Sequence, residues 1–327
     1  MKIVVYNYRE FDEGKYFDRF GKLYNVEIIK CCDTPNLENA KLALNCHGVS
    51  VITTVISKDI IKLWHDLGVK HISTRTIGYD HIDIEAAKKY NMEVSNVTYS
   101  TASVANYTVM IILMALRKMK MIMKRADSWD YSLNDSIGLE LENMTVGVVG
   151  TGAIGQKVIK NLSGFDCNII AYDPFIKEEI KKYAKYVTLN ELIEQSDIIT
   201  FHVPANKDTY HIVRKETIKK MKDNVIIINT ARGSVINTSD LIDALENGKI
   251  GACALDVIEN ELGLYYGDYK YKNIGNRELS ILRDMPNVLL TPHMAFYTEQ
   301  AISDMVKHSI TSIVASYNKK KNKFRIC

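Results

Sequence analysis

An α/β fold built from two doubly wound parallel-sheet domains follows from three observations on this 327-residue chain. Short apolar runs alternate with amphipathic runs of helical spacing throughout, the pattern of strands joined by crossover helices. The strand runs fall into two series, separated by a long helical stretch that begins at Thr101. The second series opens on Gly150-Thr-Gly-Ala-Ile-Gly155, a glycine turn between a buried strand and a helix.

The first series predicts strands at 2–6, 26–30, 48–52, 70–74 and 93–97, with helices between them at 36–45 and 57–67 among others. A single helix is predicted over 101–125. Its apolar positions include Val104, Tyr107, Ile111, Met114 and Met121, which suit a core or a subunit interface. The second series predicts strands at 146–149, 169–172, 198–202, 225–229, 252–257 and 288–291, and a last helix at 298–318. Three of the prolines, Pro174, Pro204 and Pro292, stand at sharp exits from strands. No linker rich in Pro, Gly or Ser and no repeat interrupts the pattern.

Composition narrows the function classes. A net charge of +3 gives no electrostatic case for a nucleic-acid or membrane partner. The basic run Lys319-Lys-Lys-Asn-Lys323 reads as a solvated, frayed terminus. Cys31, Cys32, Cys46, Cys167, Cys253 and Cys327 form no C-x-x-C pair and no zinc spacing. They read as small core residues in a reducing compartment, with no metal site. The apolar start of the chain is too short for a signal peptide and reads as a strand. The longest apolar stretch, 109–116, is far below the ~20 residues of a membrane span. A cytoplasmic protein is expected.

The glycine turn carries more. Strand, G-x-G-x-x-G, helix, strand and terminal acid together form the dinucleotide fingerprint, with NAD as the expected cofactor. Gly150 permits the tight turn, Gly152 lets the backbone approach a pyrophosphate, and Gly155 lets helix and strand pack closely. The helix N-terminus offers N–H groups and partial positive charge to phosphates. Asp173 ends the next strand, near the position of a ribose-binding acid.

A 2-keto acid that accepts a hydride needs a cation for its carboxylate and a tuned proton donor for its carbonyl oxygen. Arg232, in Asn229-Thr-Ala-Arg-Gly233, follows a strand and has the planar fork that fits a carboxylate. His293, in Thr291-Pro-His-Met294, follows another strand and is the natural proton donor. Glu261 follows the strand that ends at Asp256; by residue type alone it is an ordinary surface glutamate.

These residues, with the fingerprint, resemble the D-2-hydroxyacid dehydrogenase family, and within it the D-lactate dehydrogenases of the vancomycin-resistance type. The resemblance runs the length of the chain. It rests on Ile72-Ser-Thr-Arg-Thr-Ile-Gly78 with His81-Ile-Asp83, on Thr145-Val-Gly-Val-Val-Gly-Thr-Gly152, and on His202-Val-Pro204. Further matches are Ile228-Asn-Thr-Ala-Arg-Gly233, Ala244-Leu-Glu-Asn-Gly-Lys249, Ala254-Leu-Asp-Val257, Met285-Pro-Asn-Val288, Thr291-Pro-His293 and Tyr297-Thr-Glu-Gln-Ala301.

The resemblance implies a cofactor domain at 100–296 inserted into a flavodoxin-like substrate domain made of 1–99 and 297–327. It also implies a homodimer joined through the cofactor domain. Arg232 would hold the substrate carboxylate and polarise the carbonyl. His293 would be general acid in reduction and base in oxidation. Glu261 would hydrogen-bond His293 and favour its charged form. The N–H groups of Ile77 and Gly78 would share the carboxylate, and Tyr99 and Phe296 would line the cleft. Ala153 and Ile154 would meet the pyrophosphate, Asp173 the ribose, and Asp256 the nicotinamide amide. His202, Val203, Pro204, Thr230 and Ala231, together with Arg232 and His293, would complete the cofactor contacts.

The chain departs from the family at Tyr99-Ser-Thr101, where proline is common; threonine still suits a helix start. The Tyr-rich stretch 264–271 reads as a packed surface loop, with a substrate lid as the alternative. The activity expected is reduction of a short 2-keto acid, foremost pyruvate to D-lactate. One alternative is a dehydrogenase for larger acids such as 2-ketoisocaproate or phenylpyruvate. Another class with this fold is the NAD-sensing transcriptional corepressor, which would carry longer tails and a peptide groove.

Overall fold

The computed structural model describes residues 1–261 and 263–327. It divides into two compact units, Met1–Ser100 with Tyr297–Cys327, and Thr101–Phe296.

In the first unit, β1 (Lys2–Val5), β2 (Glu27–Lys30), β3 (Gly48–Val51), β4 (His71–Thr74) and β5 (Glu93–Ser95) pair in the order β2-β1-β3-β4-β5, all parallel. Helices α1 (Glu10–Tyr24), α2 (Lys58–Asp66) and α3 (Ile84–Lys89) connect them. Side chains alternate across the sheet with a period of two. Val4 and Tyr6 join Val49, Val51, Ile61 and Trp64 on one face, while Ile3 and Val5 meet Phe17 and Phe20 on the other.

The second unit begins with α4 (Thr101–Leu116) and α5 (Met119–Ala126). Its sheet contains β6 (Thr145–Val149), β7 (Asn168–Tyr172), β8 (Lys185–Tyr186), β9 (Ile198–Phe201), β10 (Val225–Asn229), β11 (Ile250–Leu255) and β12 (Val288–Leu290). They run parallel in the order β12-β11-β10-β9-β6-β7-β8. Helices α6 (Ala153–Leu162), α7 (Leu189–Gln195), α8 (Lys215–Ile218), α9 (Thr238–Glu246) and α10 (Arg277–Asp284) connect the strands. Ile226 and Ile228 enter the core on one face, and Val225 and Ile227 the core on the other. The last helix, α11 (Glu299–Tyr317), belongs to the first unit and packs Val306, Ile310 and Ile313 onto the Ile3 face.

The two doubly wound parallel sheets are as the sequence predicts; several local features are not. The helix expected over 101–125 is two helices, because Lys118 adopts a left-handed backbone at φ 51°. Leu139 N–H then donates to the Leu116 carbonyl, which helps close the end of the first helix. The helix expected at 36–45 shrinks to a 3₁₀ turn, Asn39–Ala43. There the side chains of Asn36 and Asn39 take the local backbone N–H groups and compete with helix formation. The two-residue strand β8 gives no periodic signal. The basic C-terminal run does not end in a frayed tail. Residues 324–327 fold back along β5, with Asn96 N–H to the Phe324 carbonyl, Ile326 N–H to Val94 and Val94 N–H to Cys327. Phe324 is buried in the process. Cys32 is exposed and so is no core residue, unlike the buried Cys31, Cys46 and Cys253. Among the described residues, no helix is long and apolar enough to cross a membrane. No cluster of metal-ligating side chains occurs among them.

Candidate active site

In a parallel sheet every strand delivers its following loop to the same edge. The carboxyl edge of the second unit therefore receives, from neighbouring strands, the glycine loop after β6, His202 after β9, Arg232 after β10, Glu261 after β11 and His293 after β12.

The glycine loop has the shape its residues imply. Gly150 sits at φ +96°, and a Cβ there would lie 2.7 Å from the His202 carbonyl oxygen. A Cβ on Gly155 would lie 1.9 Å from the Gly150 carbonyl oxygen, so only glycine lets α6 approach the loop. At Gly152 a Cβ would meet nothing within 4 Å. The space beside this backbone is open, directly at the start of α6, whose first-turn N–H groups have no intrahelical acceptor. Ala153 and Ile154 are the first two residues of that helix. Asp173 accepts from Thr151 N–H at 2.6 Å and Phe175 N–H at 2.8 Å. It thereby ties the end of β7 to the glycine loop, beside the open backbone. Val203 packs on Gly150, and the Pro204 carbonyl accepts from the Thr209 hydroxyl at 2.6 Å. These features fit a dinucleotide: an open cradle, free first-turn N–H groups and a carboxylate just past the end of β7.

His202 adds an orphaned atom to that edge. Its Nε2 lies 3.0 Å from the Thr200 hydroxyl, while its buried Nδ1 has no hydrogen-bond partner. Burial alone lowers its pKa to about 3, so the ring is neutral near pH 7.

A histidine–carboxylate pair is formed on adjacent loops. His293 Nδ1 lies 2.7 Å from Glu261 Oε1. The two side chains are 23% and 17% exposed, enough to meet a substrate yet partly shielded from water. Glu261 Oε2 accepts from Ile258 N–H at 3.0 Å, which fixes the carboxylate. His293 occupies a left-handed backbone at φ 54°, a conformation that costs a non-glycine residue about 1 kcal/mol or more. The turn that holds it is tightly anchored. His293 N–H donates to the Asp256 carbonyl at 2.8 Å, and the Tyr266 hydroxyl donates to the His293 carbonyl at 2.9 Å. Phe296 meets the His293 ring edge to face, with centroids 6.3 Å apart.

Asp256 is buried, and its carboxylate accepts from the Thr291 hydroxyl (2.6 Å), Met294 N–H (2.8 Å) and Ala295 N–H (2.9 Å). Burial pushes its pKa upward against these bonds. The resemblance assigns it to the nicotinamide amide; within the chain it shapes the His293 turn, a role no sequence signal announces.

Arg232 is half-buried in a turn closed by Asn229. The Asn229 amide donates to the Arg232 carbonyl at 2.9 Å and its oxygen accepts from Ala231 N–H at 3.0 Å. Arg232 Nη1 donates to the Ala231 carbonyl at 2.8 Å. The Thr230 hydroxyl is 2.9 Å from that of Thr108 on α4. Ile77, Gly78 and Tyr99 belong to the first unit. The Ile77 carbonyl accepts from Asn96 and the Gly78 carbonyl from Thr76, which leaves the loop after β4 firmly shaped. In the Tyr-rich stretch, Leu264 is buried, Tyr265 packs on the core and Tyr271 is fully exposed. The stretch is thus a partly packed loop whose Tyr266 reaches the His293 turn.

Known proteins share this plan. Residues 109–295 match the model of the D-isomer specific 2-hydroxyacid dehydrogenase family, NAD binding domain. The chain is 44% identical over 309 residues to a D-specific alpha-keto acid dehydrogenase of Enterococcus faecium, covering 94% of each. It is 40% identical to an aromatic 2-oxoacid reductase of Clostridium sporogenes, covering 96% of this chain and 95% of that one. The crystal structure of a D-lactate dehydrogenase from Treponema pallidum superposes with a TM-score of 0.89 at 30% identity, over 100% of both chains. A glycine cradle for a dinucleotide, a His–Glu pair on the same sheet edge and these likenesses lead to one conclusion: the chain belongs to the D-isomer specific 2-hydroxyacid dehydrogenase family, NAD-dependent oxidoreductases acting on the CH–OH group of D-2-hydroxy acids.

Proposed function

We propose that this enzyme reduces a short 2-keto acid, foremost pyruvate to D-lactate, with Arg232, Glu261 and His293 as its working residues. The observation that carries the reading is the 2.7 Å His293–Glu261 bond on the same sheet edge as Arg232 and the glycine loop. When bound, NADH supplies the hydride. Ala153, Ile154 and Asp173 would hold its pyrophosphate and ribose, and Asp256 the amide end. The Arg232 guanidinium pairs with the substrate carboxylate through two parallel N–H bonds and draws charge from the keto group. Imidazolium Nε2–H of His293 gives its proton to the keto oxygen as the alkoxide forms, and Glu261 holds the ring through Nδ1. In oxidation the neutral ring takes the proton back. Ile77, Gly78, Tyr99 and Phe296 complete substrate binding in this reading.

A larger substrate is the second reading, favoured by the 40% identity to a relative named for aromatic 2-oxoacids. NADH oxidation measured across pyruvate, 2-ketobutyrate, 2-ketoisocaproate and phenylpyruvate separates the two. A kcat/KM that falls with side-chain size supports the short acid, and one that rises supports the aromatic. Absence of turnover with all four would remove the enzyme reading of the site. The protein is further proposed to be a cytoplasmic homodimer. Support comes from an apolar groove on α4 lined by Val109, Met110, Leu113 and Met114, and from exposed Trp129, Tyr131, Leu133 and Ile137 in the same unit. Light scattering on the purified protein tests the dimer.

A further inference from the structure

The second unit holds another histidine–carboxylate pair, away from the proton-transfer pair but close in chain. His211 Nε2 lies 2.6 Å from Glu259 Oε1, two residues before Glu261. Both side chains are less than one fifth exposed. The other oxygen of Glu259 accepts from the N–H of Thr238 at 2.8 Å and from its hydroxyl at 2.9 Å, at the start of α9. Asn237 Nδ2 lies 3.4 Å from His211 Nδ1, and the Tyr210 ring stacks on the imidazole at 3.8 Å.

The pair joins separate loops. His211 lies in the loop after β9, at a left-handed φ of 52°, and its N–H donates to the Ser234 carbonyl at 2.9 Å. Val213 N–H donates to Val235 at 3.0 Å, and Asn237 N–H donates to Val213 at 2.8 Å. The loop after β9 is thus zipped to the loop that follows Arg232. Gly233, next to Arg232, touches the backbone of the third loop: a Cβ there would lie 2.0 Å from the Ile258 carbonyl oxygen and 2.6 Å from Glu259 nitrogen. Arg232 and Glu261 are therefore each within a few residues of one backbone contact, and the Glu259 carboxylate spans that contact from the third loop to the first and to α9.

We infer that His211 and Glu259 are positioning residues that hold the Arg232 loop and the Glu261 loop in register. Neither touches substrate. Loss of the clasp lets the two loops drift, so that Arg232 meets the carboxylate less well and Glu261 meets His293 less well. A displacement on the order of 1 Å at such groups can cost about 10²-fold in rate. The inference rests on the roles proposed above for Arg232, Glu261 and His293.

The test compares Glu259→Gln, His211→Gln and the double variant in the full enzyme. Glu259→Gln keeps the shape and removes the charge. The expected result is a kcat/KM for keto-acid reduction lowered by about tenfold to 10²-fold, with a raised KM. The NADH dissociation constant from fluorescence titration should stay unchanged. The double variant should lose no more than the worse single one. An unchanged KM overturns the inference. So does a loss of kcat alone in proportion to the NADH-binding titre, which would mean ordinary destabilisation. If Glu259→Gln does not fold, Asn237→Ser keeps a side-chain oxygen to cap α9, where Asn237 accepts from Asp240 N–H, and removes the amide contact to His211 Nδ1; the same rise in KM, smaller, is required of it. Arg232→Lys and Glu261→Gln serve as references. If they leave KM and kcat unmoved, the site reading fails; if they move them and the clasp variants do not, only the clasp fails.

Discussion

The two sheets of this enzyme each have a point where strand order reverses, between β1 and β3 in the first unit and between β6 and β9 in the second. Parallel α/β sheets bind ligands at such points. The two have opposite contents. In the first unit the place is filled from within. Arg75, fully buried after β4, donates to Glu13 at 2.9 Å, to the Ser50 hydroxyl at 3.1 Å and to the Tyr6 carbonyl at 3.0 Å. In the second unit it is lined by glycines, with open space at Gly152 and an unsatisfied His202 Nδ1. The topology offers a crevice in both cases. Whether it is a binding site depends on whether the chain's own side chains already satisfy its polar groups.

The largest effect expected from breaking this contrast is chemical. His293→Gln should lower kcat by about 10²–10⁴-fold, the usual worth of a general acid, with NADH affinity unchanged. Stopped-flow hydride transfer reads it directly, and near-native rates would remove His293 from the mechanism.

Next is the filled crevice. Glu13→Gln leaves the Arg75 charge buried without its main partner, which should cost about 3–5 kcal/mol in urea unfolding. NADH affinity of the folded variant should not change, since the pair lies in the other unit. A variant as stable as the parent would mean that the Ser50 hydroxyl and the Tyr6 carbonyl are enough to hold the Arg75 charge.

The open crevice can be probed with two alanines. Gly155→Ala forces a Cβ onto the Gly150 carbonyl and should destabilise the second unit itself. Gly152→Ala meets no protein atom within 4 Å, so the apo melting temperature should hold. NADH binding should nevertheless weaken by roughly tenfold or more, about 1.4 kcal/mol. Calorimetry on both variants, with and without NADH, sharpens the distinction; equal NADH affinity in Gly152→Ala and parent would contradict it.

The remaining effect is in pH. His202 falls from about 6.5 in the unfolded chain to about 3 in the fold. The unfolded state then binds more protons between these values. The stabilisation is complete above pH ~6.5 and is lost as pH falls toward 3, by at most about 1.4 kcal/mol per pH unit. Urea unfolding at pH 7, 6 and 5 should show a shallower decline for His202→Asn than for the parent. Parallel declines would reject the buried neutral ring.

Part of this site is legible in the amino-acid order alone. Gly150, Gly152, Gly155, Arg232 and His293 stand at strand exits, where local sequence marks both the backbone turn and the edge it faces. Glu261 gains meaning only from resemblance, because its partner is 32 residues away. The Arg75–Glu13 pair spans 62 residues and the His211–Glu259 pair 48, and neither leaves a local mark. The Lys118 break in the helix is invisible as well, since lysine does not announce a left-handed backbone.

Alternating apolar periodicity and turn chemistry act over a few residues, so the order of residues is enough to set the two parallel sheets and the glycine loop with its strand, helix and acid. Which polar side chains find each other across loops is settled by tertiary structure. Burying a charge or a donor is costly unless a partner arrives from elsewhere in the chain, and only the assembled sheet brings Glu13 to Arg75, Glu259 to His211 and Glu261 to His293.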